Sequence, residues 1–252
     1  MDKCKWSLSL VIPIYNEATT ASKNIQIYLD SLHRNFQHFE LIVVDDGSDD
    51  GTSKILEEFK NLESFTLLKN YANFNVGIAL QRGFGASSCH YVCHTGIDMP
   101  VSVEDIRRKI EEHSGSDVIV LERSSYPGAT RWRRFISGIN RSMIKLLFPS
   151  LSSGISDFNF TQIYRHKIIK CIWPKSKSPS FTTPEMIMNA KLNGLVVSAI
   201  PCAYSRREEG KGSLGRFFDI TWALYDMACF RMTTLASKRR KLTLEECHRG
   251  GA

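Results

Sequence analysis

No stretch of the 252-residue sequence is long and apolar enough to predict a membrane-spanning helix. The best candidate, residues 217–235, is interrupted by Asp219, Asp226 and Arg231. The residues before the apolar run at 8–14 lack the positive start, apolar core and cleavage site of a secretory signal. We therefore expect a cytoplasmic protein, either free or bound peripherally to the cytoplasmic face of a membrane.

The sequence also lacks internal repeats, low-complexity tracts and any regular cysteine framework. Its seven cysteines are odd in number and scattered, which predicts reduced thiols. Two Cys-His pairs at 89–90 and 93–94 are not followed by a second pair with zinc-site spacing. A strand would also point the two members of each pair to opposite faces, so we do not favour a metal site there.

Acidic residues are fewer than basic ones, which gives a net charge of +7. This charge would favour binding to nucleic acid, to an anionic membrane or to phosphate-bearing substrates. A solvated surface without a partner is an equally good interpretation. The basic run 238–241 directly follows the amphipathic segment 217–235, an order that favours contact with a membrane, or with a membrane partner, over nucleic acid. The apolar residues of that segment could face lipid or pack on the domain, and we favour packing.

Short apolar segments alternate with helical patterns over residues 7–121. This alternation predicts an α/β fold with a mostly parallel central sheet flanked by helices, in which ligands bind at the carboxyl ends of the strands. The second half is less regular, with helices expected at 131–148 and 185–192, a strand at 196–200 and a glycine-bearing loop at 206–214. The predicted strands of the first half are 8–14, 39–44, 65–68, 90–94 and 117–121.

Two motifs follow predicted strands. The first is VIPIYNE at 11–17, whose tyrosine can lie against a nucleobase. The second is VVDDGSDDGT at 43–52, whose aspartates can accept hydrogen bonds from a base or a ribose. Alone, the first motif is a weak signal that also fits an ordinary strand-to-helix turn. The second, taken alone, is better explained as a solvated turn with helix-capping residues.

Together, the two motifs resemble the signature of the family 2 glycosyltransferases, whose catalytic domain has the Rossmann-like, nucleotide-sugar-binding GT-A fold. The glycine-bearing segment NVGIALQRG at 75–83 extends the match. Arg123, SDFNF at 156–160, FTTPEM at 181–186 and RREEGKGS at 206–213 are similar to dolichol- and polyprenyl-phosphate mannosyl- or glucosyltransferases. The resemblance implies a GT-A domain over 1–215, with a nucleotide-sugar half at 7–121 and an acceptor half at 122–215. A C-terminal amphipathic helix and basic tail would follow at 216–252.

The resemblance also implies roles for particular residues. The catalytic candidates include Asp157 and Glu185, which would orient the acceptor or act as a base. A carboxylate at a helix start, with no contact to substrate, is an equally good interpretation of Glu185. The other catalytic candidates are Asp98 and Arg207. The residues implied to bind substrate are Pro13, Tyr15, Glu17, Val44, Asp46, Gly77, Ile97, Arg123 and Lys211. Arg123 and Lys211 would bind phosphate, and so would the catalytic candidate Arg207.

The sequence departs from the family where its Asp-x-Asp motif is expected, because it reads Gly96-Ile97-Asp98. Only Asp98 is left to hold a divalent cation, Mg²⁺ or Mn²⁺, against the sugar diphosphate. A weakly bound ion, stabilisation of the leaving group by arginine and lysine alone, and loss of activity are the three consequences that we consider.

The function implied is that of an inverting glycosyltransferase, which moves a sugar from a UDP- or GDP-linked donor to a polyprenyl phosphate. One alternative is transfer to a saccharide hydroxyl in cell-surface polysaccharide synthesis. Another is a non-catalytic nucleotide-sugar-binding partner, for which Gly96 is the main argument. We expect no nucleic-acid partner.

Overall fold

The computed structural model describes residues 3–124, 131–204 and 217–236, except for the side chains of 132, 133, 217–219 and 236. Seven strands form a single sheet. The strands are β1 (Leu8–Ile14), β2 (Phe39–Asp45), β3 (Phe65–Lys69), β4 (Tyr91–His94), β5 (Val118–Arg123), β6 (Gln162–Arg165) and β7 (Val197–Cys202). The α-helices are α1 (Ala21–Asn35), α2 (Thr52–Glu57), α3 (Val76–Ala86), α4 (Val103–Glu112), α5 (Arg131–Leu147), α6 (Pro149–Ser152), α7 (Thr182–Leu192) and α8 (Phe217–Ala236).

The sheet has the order β3-β2-β1-β4-β6-β5-β7. Neighbouring strands are parallel except at β6, which runs antiparallel to both β4 and β5. The prediction of a mostly parallel α/β fold is therefore confirmed. Strand β6 was not predicted, because it is only four residues long and its burial shows no alternation between two faces.

Apolar side chains cover both faces of the sheet. One buried cluster joins the sheet to residues of α1, α2 and α4, and the other joins it to residues of α3, α5, α7 and α8. Most apolar residues of β1 and β2 are fully buried, which is why these strands read as continuous apolar runs rather than alternating ones. The result is three layers, with helices on each side of the sheet.

Strands β1, β2 and β3 end in one row, because Ile14 pairs with Asp45, and Asp45 pairs with Lys69. Helix α3 lies directly against β1 through Gly83, where a Cβ atom would be 2.2 Å from Val11 Cγ1. This close approach is possible only without a side chain at position 83.

The predicted segment 217–235 forms the long helix α8, and one side of it packs on the domain. Met227 and Phe230 are buried on this side, and the Phe230 ring lies 5.4 Å from that of Phe148 in a T-shaped contact. Within the three described ranges, no helix has the length and hydropathy needed to cross a bilayer.

The prediction of reduced cysteines requires one correction. Cys4, Cys89, Cys93, Cys202 and Cys229 are free thiols. Cys171, however, is disulfide-bonded. Sequence spacing could not reveal this bond, since no framework of paired cysteines is present.

Candidate active site

The loops that follow β1 and β2 are joined by reciprocal hydrogen bonds. Asn16 Nδ2 donates to Asp49 Oδ1 at 2.8 Å, and the Asp49 backbone N–H donates to Asn16 Oδ1 at 3.0 Å. The Glu17 backbone N–H donates to Thr52 Oγ1 at 2.9 Å. Asn16 adopts a φ of 53°, a left-handed conformation that asparagine tolerates better than most residues. The two motifs singled out in the sequence therefore form one structural unit.

Within this unit, Pro13 and Val44 form a register pair at the ends of β1 and β2. Val44 is fully buried, whereas Tyr15 and Glu17 are partly exposed beyond the strand ends. The structure thus brings Pro13, Tyr15, Glu17 and Val44 to the same edge of the sheet as predicted. Their contacts with a nucleoside stay a prediction.

Asp46 ties the same edge to the loop after β3. Its side chain is only 3% exposed, and Oδ1 accepts hydrogen bonds from Asn70 Nδ2 at 2.6 Å and from the Phe74 backbone N–H at 3.0 Å. Its own backbone N–H donates to the Ile14 carbonyl at 2.8 Å. Burial raises the pKa of the Asp46 carboxyl, partly offset by the hydrogen bonds from Asn70 and Phe74.

Asn70 also forms a hydrogen bond with helix α3. Its carboxamide oxygen accepts a hydrogen bond from Arg82 Nη1, which also donates to the Lys69 carbonyl at 2.6 Å. Sequence reasoning did not identify Asn70 or Arg82. The signal was weak, because a polar residue after a strand and an arginine on a helix are both common on protein surfaces.

Gly47 lets the loops after β2 and β3 touch. Its φ is +76°, and a Cβ atom there would lie 2.4 Å from the Ala72 carbonyl carbon and 2.7 Å from its Cα. The neighbouring loops are therefore in backbone contact at this point, and no other residue fits without moving one of them.

The loop after β4 contains Gly96-Ile97-Asp98, in which a glycine replaces the first aspartate of the Asp-x-Asp motif. The Gly96 carbonyl accepts a hydrogen bond from Tyr28 Oη at 2.7 Å, which fixes the loop to α1. The Ile97 side chain is 4% exposed and packs in the core, so Ile97 could reach a substrate only through its backbone. Asp98 is partly exposed at the surface of this loop.

Asp98 is the one predicted metal ligand in this loop, and its surroundings limit the kind of ion site that can form. Within residues 3–124, 131–204 and 217–236, no three His, Cys, Asp or Glu side chains are grouped as a ready-made metal site. The Asp98 carboxylate lies across Gly96, with Oδ1 2.6 Å from where a Cβ at position 96 would be. These residues fit an ion that brings most of its own ligands, such as a hydrated Mg²⁺ on a diphosphate.

Arg123, at the end of β5, forms a bidentate ion pair with Asp157. The Nε–Oδ2 distance is 2.6 Å and the Nη2–Oδ1 distance is 3.0 Å, with Asp157 6% and Arg123 21% exposed. The guanidinium also lies over the Phe160 ring at 4.9 Å and the Tyr204 ring at 6.0 Å. The structure therefore joins two predicted site residues in one cation–carboxylate–aromatic group. The two aromatic residues of this group were not identified from the sequence.

Glu185 is 3% exposed and binds the backbone of the preceding loop. Its two carboxylate oxygens accept from the Lys175 N–H at 3.0 Å and the Ser176 N–H at 2.8 Å. This geometry favours the interpretation of Glu185 as a loop anchor over contact with the acceptor. Asp226 of α8 binds the next two amides, those of Lys177 and Ser178, at 3.2 and 2.9 Å.

Gly77 places the start of α3 against that anchored loop. A Cβ atom at Gly77 would lie 2.5 Å from Thr182 Oγ1 and 2.8 Å from the Lys177 carbonyl oxygen. Asn75 caps the helix by accepting the Gly77 N–H at 2.8 Å. The predicted role of Gly77 in substrate binding is thus accompanied by a packing role. Arg207 and Lys211 lie outside the described residues.

A mostly parallel sheet of this order, with helices on both faces, is the α/β fold of the GT-A type. The chain belongs to glycosyl transferase family 2, whose profile matches residues 9–173.

Similar curated proteins include undecaprenyl-phosphate 4-deoxy-4-formamido-L-arabinose transferases. The protein of that name from Proteus mirabilis is 33% identical over 119 residues, covering 46% of this chain and 36% of the relative. The one from Edwardsiella ictaluri is 25% identical over 231 residues, covering 90% of this chain and 68% of the relative. The matches thus span from about a third to two thirds of these relatives' lengths.

Solved structures confirm the fold. Mannosyl-3-phosphoglycerate synthase from Rubrobacter xylanophilus superposes with a TM-score of 0.61 at 13% identity, covering 95% of this chain and 80% of that protein. Glucosyl-3-phosphoglycerate synthase from Mycobacterium tuberculosis, solved with Mn²⁺, UDP and glucosyl-3-phosphoglycerate, gives 0.60 at 16% identity, covering 93% and 80%.

Replacing Gly47 with alanine should separate the loops after β2 and β3. Both Gly47 (φ +76°) and Gly51 (φ +97°) have left-handed backbones, but a Cβ at Gly51 meets nothing within 4 Å. Gly51→Ala therefore measures the conformational strain alone, about 1–2 kcal/mol. We expect Gly47→Ala to lower the free energy of unfolding by about 1–3 kcal/mol more than Gly51→Ala, from overpacking. Urea denaturation checks this, and equal losses would contradict the backbone contact.

The buried Asp46 carboxyl should make stability depend on pH. Because its folded-state pKa is raised, the native state holds the proton more tightly than the unfolded chain does. The stabilisation that the protonated Asp46 gives to the native state is fully present below the ordinary aspartate pKa of about 4. It is lost as pH rises through the higher pKa of the folded state. Asp46→Asn removes this titration. Urea denaturation gives the free energy of unfolding of the wild type and of Asp46→Asn at each pH. We expect the wild-type value, relative to that of the variant, to decrease from acidic to neutral pH. A constant difference would show that the pKa is not raised.

Proposed function

We propose that the chain is an inverting glycosyltransferase that moves a sugar from a nucleotide diphosphate to a polyprenyl phosphate at the cytoplasmic face of a membrane. The observation that carries this proposal is the likeness to an undecaprenyl-phosphate sugar transferase over 90% of the chain. That likeness covers the acceptor half, which the family profile, ending at residue 173, covers only in part.

The loops after β1 and β2 supply the donor half of the site. Tyr15 offers a partly exposed ring for a nucleobase, and Glu17 lies beside it on the same loop. The hydrogen bonds from Asn70 and Phe74 fix the Asp46 carboxylate before the donor arrives. A site preorganised in this way spends little binding energy on ordering its own loops.

The Arg123–Asp157 group is our candidate for the acceptor half. A phosphate acceptor is ionised near neutral pH, so no strong general base is needed to deprotonate it. The forked guanidinium of Arg123 suits phosphate oxygens, and Asp157 fixes its plane. Arg207 and Lys211 are proposed as further phosphate ligands. Asp98 would hold the divalent cation, which when bound supplies positive charge against the charge that develops on the leaving diphosphate.

The proposal is tested by incubating the chain with UDP- and GDP-sugars, a polyprenyl phosphate and a saccharide acceptor, with and without Mn²⁺. We expect a lipid-linked product, and we expect Arg123→Lys to reduce its rate at least tenfold because the bidentate geometry is lost. Arg165→Lys is the matched control, since Arg165 lies 4.0 Å from Asp117 but at the opposite end of the same strands.

Product on the saccharide alone would reject the lipid-phosphate acceptor. Nucleotide binding without turnover on either acceptor would reject the enzymatic function and favour a binding partner. If Arg165→Lys slowed transfer as much as Arg123→Lys, the rate loss would reflect folding and not the site.

Position 96 offers a test of the ion site with a matched pair of variants. Gly96→Ala pushes the Asp98 carboxylate away, because its Cβ would lie 2.6 Å from Asp98 Oδ1. Gly96→Asp causes the same shift but adds a second carboxylate. We expect calorimetry in the presence of UDP to show weaker Mn²⁺ binding for Gly96→Ala and binding at least as tight as the wild type for Gly96→Asp. Unchanged Mn²⁺ affinity in both variants would remove this loop from the ion site.

A further inference from the structure

A cavity opens at the end of the sheet opposite the candidate active site. Its volume is about 320 Å³, which lies within the range of about 300–1,000 Å³ that is usual for small-molecule sites. Three segments form its walls, one before β1, one around the start of β4 and one at the end of β6. The lining residues are Trp6, Ser88, Cys89, His90, Tyr91, Arg165, His166 and Lys167.

The cavity lies one strand length away from the candidate active site. Leu8, the first residue of β1, pairs with Tyr91 at the start of β4, and Tyr91 pairs with Arg165 at the end of β6. The seven residues of β1 separate this edge of the sheet from Ile14, a distance of about 20 Å at the usual rise of a strand. A small ligand in the cavity would therefore not contact the loops proposed to bind the donor.

Backbone hydrogen bonds join the three segments to one another. The Tyr91 N–H donates to the Ser7 carbonyl at 3.1 Å, and the His166 N–H donates to the His90 carbonyl at 2.9 Å. The His90 N–H also donates to Ser7 Oγ at 3.0 Å. The walls are thus fixed in the free protein, so a ligand would spend little binding energy on ordering them.

The cavity presents positive charge. Among the described residues that line it, Arg165 and Lys167 carry a permanent charge, and both are basic. Arg165 donates from Nη2 to the Ser114 carbonyl and from Nε to the Ser116 carbonyl, the latter at 3.1 Å. These carbonyls fix the guanidinium without neutralising it, so its charge is held in place for an anion.

Two carboxylates lie near the cavity but do not line it. Asp117 Oδ1 is 4.0 Å from Arg165 Nε, the outer limit of an ion pair, and Asp117 Oδ2 accepts the Val196 N–H at 3.0 Å. Glu40 Oε1 accepts the Ser88 N–H at 2.6 Å. Both carboxylates therefore have partners in the surrounding structure, and the lining itself stays basic.

Aromatic rings form the other wall of the cavity. The Trp6 ring lies 5.4 Å from the His90 ring and 6.0 Å from the Tyr91 ring, and Lys5 Nζ is 5.1 Å from the indole. Tyr91 is only 3% exposed, and its hydroxyl interacts with Arg165. Burial raises the pKa of this hydroxyl, so Tyr91 stays protonated and can donate a hydrogen bond to an anion.

We propose that this cavity binds a small sugar phosphate, with the phosphate at Arg165 and Lys167 and the sugar ring against Trp6. A phosphate monoester carries about two negative charges near neutral pH, which suits a fixed guanidinium beside an ammonium group. The cavity is larger than a phosphate alone requires. An indole can cover the apolar face of a sugar ring, while hydroxyl and imidazole groups, such as those of Ser88 and His90, can bind its hydroxyls.

The test is isothermal titration calorimetry of the full chain with glucose 1-phosphate, glucose and inorganic phosphate, in the absence of any sugar nucleotide. We expect glucose 1-phosphate to bind about tenfold or more tightly than either glucose or phosphate, because each of these lacks the contacts of the other part. Its affinity should fall as salt is added, since salt screens the attraction of the phosphate.

Two variants with matched controls locate the ligand. Lys167→Gln should weaken the binding of glucose 1-phosphate about fivefold, whereas Lys170→Gln, which changes another exposed lysine, should not. Trp6→Leu should weaken it about fivefold through the loss of ring contact. Trp173→Leu is the control for this variant, since Trp173 is 37% exposed and does not line the cavity. The unfolding midpoints of all four variants are measured alongside, so that a folding defect is recognised.

Absence of binding of glucose 1-phosphate would overturn the proposal. Equal affinities for glucose 1-phosphate and inorganic phosphate would also overturn it, because the sugar ring would then contribute nothing. Affinity that Lys167→Gln and Trp6→Leu leave unchanged would place the ligand elsewhere, with the same consequence. The inference does not rest on the proposed function, since none of these measurements requires sugar transfer.

Discussion

The arrangement of the site depends on one buried carboxylate. Asp46 is withdrawn from water, so its oxygen must be satisfied by protein donors, and those donors are Asn70 and the Phe74 backbone. This requirement pulls the loop after β3 onto the loop after β2. Gly47 makes the approach possible, because any larger residue would collide with Ala72. The hydrogen bonds of Asn16 and Glu17 then fix the loop after β1 to the same unit.

The sequence predicted the strands and helices of residues 8–57 well because their signals are local. A strand of buried residues, a turn-forming motif and a helix follow one another along residues 8–57, and each can be read without knowing what it packs against. The edge at which the motifs gather follows from the parallel direction of the strands. Family resemblance then named the ligand class, which the motifs alone left open.

The part of the chain from β5 onward was predicted less completely because its contacts are distant in sequence. Arg123 and Asp157 were each identified, but their ion pair spans 34 positions and depends on β6, a strand too short to recognise. Phe160, from the same loop as Asp157, and Tyr204, from the segment after β7, complete the group. The role of Glu185 was left open because its partners are backbone amides. Every residue except proline has a backbone N–H, so such a contact cannot be recognised from the residue type.

Helix α8 shows why two interpretations of one segment need not exclude each other. The residues at 217–235 could be assigned either to packing or to a lipid-facing strip, and a single apolar stripe would force a choice. In the structure the apolar positions divide between two opposite sides, of which Met227 and Phe230 occupy one and Trp222 and Met232 the other. Asp226 sits between them, and its carboxylate binds the loop beside α3. One side of the helix therefore supports the fold, whereas the other side stays exposed.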